Sequence, residues 1–374
     1  MTFRIDRREA LLGLLGVAMA PHVARAAAAA PQRVIGARAD TGSRYFVTGF
    51  DTAGDVAFDL PLPGRGHGFA VRRDGGEAVA FSRRPGDRIT VLDPRAGRMV
   101  REVAAATDRW FNGHGTYGPS GRVLYASETI ASSGDGVIGV YDAGAGFRRV
   151  GEFPSGGLDP HDMRLLPGGE TIVVANGGIL THPDAPGFQL NLHDMQPSLA
   201  YLDAGSGALR QKATLPPALH QLGTRHLAVA PDGTVAVAMQ FAGPSMRTVP
   251  LVATHRLGAP EMTFLPLTED LLAGLRGYCG SAAMDATGTV LGIASPRGNL
   301  AVFWDLATGH VLGKVGVADG CGIAADGEDG FLLGSGLGGM FRYQPGAADA
   351  TRLPLALATT ARWDNHLMTL PATG

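Results

Sequence analysis

Seven short stretches of this chain resemble one another, and each places a histidine or a cysteine at the same position. These residues are His67, His114, His161, His226, Cys279, Cys321 and His366. They follow one another at steps of 42 to 65 residues, with short strand-like runs between them. A repeat of this length with strand content is typical of a β-propeller, in which each repeat forms one blade. The chain is therefore predicted to be all-β and to fold as a seven-bladed β-propeller.

Each repeat has the same order of strand and turn signals. Short β-rich runs alternate with turns, and an Asp-x-x-x-Gly turn recurs because Asp accepts backbone hydrogen bonds there and Gly supplies a positive φ. Six blades are predicted to begin near residues 66, 113, 160, 225, 278 and 320. The seventh blade is split: residues 365–370 supply its inner strand, and runs at 33–37, 45–50 and 56–60 supply the rest. Pairing of the N- and C-terminal strands in one blade would close the ring and remove free sheet edges.

The N-terminus has the pattern of an export signal. Arg7 and Arg8 precede a short apolar stretch, and Ala-Arg-Ala at 24–26 forms an A-x-A cleavage pattern. The apolar stretch is too short to span a bilayer. The paired arginines favour a twin-arginine signal over an ordinary secretory signal. We therefore expect a twin-arginine-type signal peptide at 1–26, a single propeller domain at 27–374 and a periplasmic location.

Charge and motif content argue against several classes of protein. The formal net charge of −2 gives no electrostatic basis for binding nucleic acid. No G-x-S-x-G, P-loop or H-E-x-x-H motif occurs, so the sequence offers no support for a serine hydrolase or a nucleotide-binding protein. The sequence leaves open whether the protein is an enzyme, as well as its oligomeric state.

If the seven stretches open the inner strands, their side chains meet on the propeller axis. Imidazole and thiolate are ligands for zinc, copper and iron, and the Irving–Williams order favours copper at an unselective histidine site. The sequence thus predicts a site for copper or iron. Its ligands are His67, His114, His161 and His226 from consecutive blades, His366, and in addition Cys279 and Cys321.

Two alternatives to this ligand set remain open at this point. Histidines satisfied by water and backbone groups can line a structural channel without any metal. The two cysteines, the only ones in the chain, can instead form a disulfide in an oxidising compartment.

Residues that directly follow the second strands are expected on the same face of the propeller as the histidines. They are Arg84, Glu128, Asn176, Gln240 and Arg297, together with Arg83 and Ser295. We predict that they form the rim of a funnel above the ligands.

Three segments are longer than the repeat requires, and long loops on rigid scaffolds often carry function. The segment 177–198 contains His182, Asp184, His193 and Asp194, which suit either a lid or second metal site, or a solvated insertion. The second spans 241–250. The third, 268–276, is predicted to form one or two helical turns capped by Thr268.

Longer motifs give the chain a family resemblance. They include Gly-Val-Ile-Gly-Val-Tyr-Asp (136–142), Gly-Leu-Asp-Pro-His-Asp (157–162), Asn-Leu-His-Asp-Met-Gln-Pro-Ser-Leu (191–199), His-Gln-Leu-Gly-Thr-Arg-His-Leu-Ala-Val (220–229) and Trp-Asp-Asn-His (363–366). On these motifs the chain resembles domain-of-unknown-function family 1513 over nearly all of its mature length. The resemblance implies an exported bacterial propeller without an established activity or assigned catalytic residues. It also implies a link to iron acquisition, because genes of the family tend to lie beside those of imelysin-like and di-haem oxidase-like periplasmic proteins.

Two functions are compatible with the sequence. The first is a metal-associated periplasmic protein in iron or copper handling, with the axial histidines as ligands. The second is a non-enzymatic binding module that docks a partner of a periplasmic iron-uptake system.

Overall fold

The computed structural model describes residues 32–182, 188–357 and 359–371. Twenty-eight strands cover most of these residues. In chain order they are β1 (Arg33–Ala39), β2 (Tyr45–Asp51), β3 (Val56–Leu62), β4 (Gly66–Val71), β5 (Ala78–Ser82), β6 (Arg88–Asp93), β7 (Arg98–Ala104), β8 (Arg109–Tyr117), β9 (Val123–Ile130), β10 (Asp135–Asp142), β11 (Arg148–Leu158), β12 (Pro160–Leu165), β13 (Thr171–Asn176), β14 (Ser198–Asp203), β15 (Leu209–Thr214), β16 (Leu222–Val229), β17 (Val235–Phe241), β18 (Val252–His255), β19 (Thr263–Phe264), β20 (Ser281–Met284), β21 (Val290–Ser295), β22 (Leu300–Asp305), β23 (Val311–Gly316), β24 (Gly320–Asp326), β25 (Gly330–Ser335), β26 (Met340–Tyr343), β27 (Thr351–Arg352) and β28 (Arg362–Thr369).

These strands form seven four-stranded antiparallel sheets, which are the blades of a β-propeller. Blades 1 to 6 take four consecutive strands each, from β4–β7 to β24–β27. Blade 7 has the order β28-β1-β2-β3, so the C-terminal strand pairs with the N-terminal one. The inner strands β4, β8, β12, β16, β20, β24 and β28 each contact the next around the ring. The predicted seven-bladed propeller with a split seventh blade is therefore confirmed.

The apolar core lies between neighbouring blades. Phe81 of β5 packs against Phe111 of β8, with ring centroids 6.2 Å apart, and similar clusters join the other blades. In the closing blade, the rings of Trp363 and Phe50 have centroids 5.2 Å apart, and both belong to a buried cluster that includes Leu332 of blade 6. Side chains of the blades therefore support one another through the ring, and the inner strands are held in fixed positions around the axis.

The predicted turns have the expected chemistry. The side chain of Asp203 accepts backbone hydrogen bonds from Gly205 and Ser206, and Gly207 has a φ of +74°. The predicted helical turns also form, as helix α1 (Glu269–Gly274). Thr268 is its N-cap, and its hydroxyl accepts from the backbone N–H of Leu271.

Within the described residues, no helix has the length and apolar content that crossing a membrane requires. The predicted signal peptide at 1–26 lies outside the described residues, and so does Asp184 of the long insertion.

Candidate metal centre

Five histidines from five different blades meet at the propeller axis. They are His67 (β4), His114 (β8), His161 (β12), His226 (β16) and His366 (β28), and all are buried. Rings in contact have centroids 4.6–5.9 Å apart. The sequence-based prediction that these imidazoles converge is confirmed, whereas their role as ligands stays a prediction.

The ring nitrogens form two groups that could each hold a metal ion. One group is His67, His114 and His161, and the other is His114, His226 and His366. In each group the candidate ligand atoms lie within 4.8 Å of one another. His114 belongs to both groups and therefore is the residue on which any bound metal depends most.

A β-bulge lies beside each of these histidines where the inner strand pairs with its neighbour. In β12, for example, Pro160 pairs with Asn176 but Asp162 pairs with Ala175, so His161 is the extra residue. A bulge adds one residue to a strand and changes the direction of a side chain. The bulges let the five imidazoles leave the regular alternation of their blades, although a bulge alone does not direct a side chain to the axis, because the one at Cys321 leaves its thiol in the core.

Two glycines make room for the rings. A β-carbon on Gly68 would lie 2.5 Å from the carbonyl oxygen of Gly113 and 2.7 Å from Nδ1 of His114. A β-carbon on Gly113, whose φ is +100°, would lie 2.6 Å from Cδ2 of His67. These distances are too short for any side chain, so the close approach of the two imidazoles requires glycine at both positions.

Two buried carboxylates contact imidazoles of neighbouring blades. Oδ1 of Asp364 lies 3.2 Å from Nδ1 of His67, and its other oxygen is paired with Arg65. Oδ1 of Asp162 lies 3.3 Å from Nδ1 of His114. A carboxylate only accepts hydrogen bonds, so it favours a ring with its hydrogen on Nδ1 and its lone pair on Nε2. Carboxylates orient metal-bound histidines in this way in many proteins.

Of the other three rings, His226 has no hydrogen-bond partner at either nitrogen among the described residues, and two contact neighbouring side chains. Nδ1 of His161 lies 3.3 Å from Nη1 of Arg225. A guanidinium only donates, so this nitrogen accepts and the ring hydrogen is on Nε2. Nδ1 of His366 lies 3.3 Å from Oγ of Ser281, which can donate or accept. His161 therefore presents a donor to the cluster, whereas the carboxylate-paired rings present lone pairs.

Five ring nitrogens are buried without a hydrogen-bond partner among the described residues. They are Nε2 of His114, His161, His226 and His366, and Nδ1 of His226. An unpaired buried polar group costs roughly 1–3 kcal/mol, and native proteins rarely leave one unsatisfied. The donor set therefore fits a bound species that is ligated by imidazole nitrogens.

Burial keeps these rings neutral. Desolvation lowers the pKa of His114, His161, His226 and His366 well below the usual 6.5. It also lowers the pKa of His67, although the hydrogen bond with Asp364 opposes the shift. A neutral imidazole has the lone pair that metal ligation needs. Because the arginine-bonded His161 is not part of it, the group His114, His226 and His366 is the better ligand set.

A metal ion also fits the dimensions of the cluster. With metal–nitrogen distances of about 2.0–2.1 Å, the nitrogens of a tetrahedral site lie about 3.3 Å apart. The candidate ligand atoms lie within 4.8 Å of one another, so a bound ion would draw them together by at most about 1.5 Å. Three imidazoles with one open position are a ligand set that catalytic metal sites use.

The two cysteines do not join the cluster. Cys279 packs in the core that joins blades 3, 4 and 5. Cys321 lies between blades 6 and 7, where its Sγ donates to the carbonyl oxygen of Trp363 at 3.1 Å. Both thiols are free, and burial raises the pKa of Cys279 to about 12 and that of Cys321 as well. The predicted thiol ligands and the alternative disulfide are therefore both corrected, because buried protonated thiols are inert.

Strand register explains the error in blade 5. The inner strand β20 begins at Ser281, two residues after Cys279, and it pairs with β21 without a bulge. Ser281 takes the place beside His366 that the sequence assigned to Cys279. The similarity of the repeats located this blade but not the residue that reaches the axis.

We expect Cys321→Ala to keep the metal content of the unchanged protein and to lose about 1 kcal/mol of stability. The substitution removes one weak S–H donor and leaves the imidazoles untouched. Elemental analysis and thermal unfolding of the same preparation measure both quantities. A folded variant with less bound metal would show that the thiol is a ligand.

The predicted rim residues divide into two sets. Arg84 is paired with Asp159 at the axial entrance. The guanidinium carbon of Arg297 lies 4.3 Å from the centre of the Tyr278 ring, and Gln240 donates to the carbonyl oxygen of Cys279 at 3.1 Å.

Glu128 and Asn176 do not line the rim. Strand β9 continues to Ile130, so Glu128 lies inside the strand, where it accepts from Tyr141 at 2.5 Å and Arg149 at 2.8 Å. Asn176 is the last residue of β13, and its side chain donates to the carbonyl oxygen of Ser155 in the outer strand of blade 2. Glu128 therefore links strands within blade 2, whereas Asn176 links blade 3 to blade 2, and the prediction of their position is corrected.

The long insertion does not reach the histidine cluster in its described part. The side chain of Asn191 ties the two ends of the insertion together through hydrogen bonds with the backbone of Leu180 and Gly178. The side chain of His193 is 84% exposed and lies 3.8 Å from Asp194. Among the described residues, the groups that could hold a metal consist of axial histidines, so the suggested second metal site in this loop has no support.

Solved structures share the fold at low sequence identity. Hydrazine synthase from Kuenenia stuttgartiensis is 16% identical, with a TM-score of 0.59 over 79% of this chain and 90% of that chain. A functionally unknown protein from Desulfotomaculum acetoxidans DSM 771 is 10% identical, with a TM-score of 0.61 over 91% of this chain and 99% of that chain. Likeness at this identity supports the fold alone. The comparison with curated proteins gives no match.

A family model covers most of the sequence. It matches residues 60–370, from the end of the closing blade's outer strand to just beyond the last strand. All five axial histidines lie inside the matched range. The chain therefore belongs to the family described as protein of unknown function, DUF1513.

Proposed function

We propose that this protein is an exported metal-binding propeller that handles copper or iron at its axial histidine cluster. The observation that carries the proposal is the convergence of five buried, neutral imidazoles, four of which have a ring nitrogen without a hydrogen-bond partner among the described residues. A water-filled structural channel would leave rings free to pair with backbone groups. Here glycines, bulges and carboxylates instead bring the rings into mutual contact.

Copper and iron are the candidates for chemical reasons. Without thiolate, the cluster is an all-nitrogen set, which suits zinc, copper, iron and nickel. The Irving–Williams order favours copper among the divalent ions, and the family resemblance points to iron. The N-terminal export pattern supports a periplasmic location, and a twin-arginine route would allow the metal to be loaded before export.

Metal analysis of the exported protein, purified without a histidine tag, tests the proposal. We expect near-stoichiometric copper or iron after equilibrium dialysis against each ion. We expect none in the variant that carries His114→Ala and His161→Ala together, because each ligand group loses at least one member. A metal-free unchanged protein with an intact fold contradicts the proposal.

Asp162→Asn is expected to weaken metal binding by about 10–100-fold, the usual cost of losing a group that orients a ligand. Asparagine keeps the shape of the side chain but loses the charge that faces His114, the histidine shared by both ligand groups. Competition with a chromophoric chelator measures the affinity, and circular dichroism confirms that the variant is folded. Glu170→Gln, which removes an exposed carboxylate from the turn between β12 and β13 of the same blade, is the matched control. Equal affinities of the two variants would assign Asp162 a structural role only.

One observation favours the alternative of a binding module. A cleft of about 780 Å³ lies between the outer strand of blade 2 and the long insertion, lined among others by Phe153, Leu180, Asp194 and Lys212. It contains none of the axial histidines. Phe188 on the same insertion is 68% exposed. A folded protein that stays metal-free would favour this second function.

A further inference from the structure

The entrance to the histidine cluster carries an excess of arginine. We call this entrance the axial mouth, formed by Arg65, Arg83, Arg84 and Arg225 with Asp159 and Asp364. Asp159 is shared between Arg84 and the buried Arg225, whose Nη1 lies 2.5 Å from Oδ2. Asp364 is shared between Arg65 and His67. Both carboxylates are therefore already engaged by the mouth itself.

Arg83 is the one guanidinium of the mouth without a partner. It makes no side-chain hydrogen bond or ion pair with any residue that the structure describes, and it is exposed to solvent even though the surrounding protein partly desolvates its guanidinium and lowers its pKa. Its backbone N–H donates to the carbonyl oxygen of Arg65 at 2.8 Å, and Arg65 is paired with Asp364 beside His67, so Arg83 lies at the mouth next to the cluster. An unpaired arginine at the entrance of a polar cluster is available to a ligand.

The charge balance determines which ligand the mouth attracts. Four guanidinium groups face two carboxylates. Asp319, which lines the same pocket as Arg65 and Asp364, and Arg297 add one charge of each sign and leave the excess unchanged. A concave surface with excess positive charge concentrates anions and repels bare cations. A free metal cation is therefore not the species that this surface favours.

We infer that the axial mouth binds a small oxyanion, held by Arg83 beside the histidine cluster. The planar fork of arginine matches carboxylate and phosphate oxygens in a bidentate manner. The Nε2 hydrogen of His161 supplies a further donor at the base of the mouth, because its Nδ1 accepts from Arg225. The inference rests on the proposed function in one respect. At a histidine cluster that holds a metal, the anion would either arrive bound to the metal as its chelator or complete the metal's coordination.

Calorimetric titration of the metal-free protein with citrate and with inorganic phosphate, at low ionic strength, tests the inference. We expect saturable binding of at least one anion, and the tighter of the two identifies the ligand as a polycarboxylate or a phosphate. Arg83→Ala should weaken this binding at least about tenfold, the loss typical of a charge-assisted hydrogen bond. Arg83→Lys should recover part of it, since lysine keeps the charge without the fork.

Arg73→Ala is the matched control. It removes an exposed arginine from the turn at the opposite end of the same hairpin, and it should leave anion affinity unchanged. Absence of saturable binding by either anion, or equal affinity in Arg83→Ala and Arg73→Ala, overturns the inference. Because the titration uses metal-free protein, either result is independent of whether the histidines hold a metal.

Discussion

His114→Ala is expected to abolish stoichiometric metal binding, with a loss larger than the roughly 10–100-fold that removal of an orienting group costs. His114 is the only histidine common to both candidate ligand groups. Its ring contacts those of His67, His161, His226 and His366. Removing it leaves each group with two imidazoles, too few for a stable site of this kind.

Two companion variants make this result specific. His161→Ala leaves the group His114, His226 and His366 complete and should retain bound metal. His310→Ala removes an exposed histidine from the surface and should behave as the unchanged protein. Metal affinity is measured by competition, and folding by circular dichroism. Retention of full affinity by a folded His114→Ala protein would show that the metal, if bound, lies elsewhere.

The metal-free protein is expected to lose about 4 kcal/mol of stability between pH 6.5 and pH 5.5. Burial lowers the folded-state pKa of His114, His161, His226 and His366 well below 6.5. Below pH 6.5 the unfolded chain therefore binds protons that the folded chain does not. Stability is fully present above pH 6.5 and falls as the pH is lowered, by about 1 kcal/mol for each histidine over this interval.

Urea unfolding at a series of pH values measures this loss. His67 and His255, whose pKa values burial also lowers, act in the same direction. Asp162 and Glu128, whose pKa values burial raises, act in the opposite direction. Asp364 does not contribute in this interval, because His67 and Arg65 hold its pKa below the usual value of 3.8 even though burial opposes them. In His226→Leu the decrease in the free energy of unfolding over this pH interval should be about a quarter smaller. A stability that stays constant from pH 6.5 to pH 5.5 would mean that the rings are hydrated and free to protonate.

The fold was predictable because each repeat has strand and turn patterns that can be recognised in short stretches of sequence. Turns such as Asp203–Gly207 need particular residues for their backbone geometry. Gly68 and Gly113 flank histidines because the rings need the space. The split blade could be recognised because the strand-like runs on either side of the six repeats had no other partners.

Side-chain direction was less predictable than strand position. A strand alternates its side chains, so a shift of one or two residues changes which of them reaches the axis. Cys279 lies two residues before its strand, and Glu128 lies two residues before the end of its own, and both were misplaced for this reason. The bulges that direct the histidines have no sequence signal of their own apart from the neighbouring glycines.

The carboxylates of the cluster were missed although they stand beside histidines in the sequence. Asp162 directly follows His161, and Asp364 precedes His366 by two residues. Each contacts a histidine of the neighbouring blade instead, His114 and His67 respectively. Such a pairing depends on how blades pack around the axis, and one chain's residue order does not specify it.

X-ray absorption spectroscopy of the protein loaded with one equivalent of copper tests the metal centre most directly. The structure predicts first-sphere scattering from three or more imidazole nitrogens and none from sulfur, with a changed spectrum in His114→Ala. Sulfur in the first sphere, or fewer than two imidazoles with no change in His114→Ala, would contradict a metal centre built from the axial histidines.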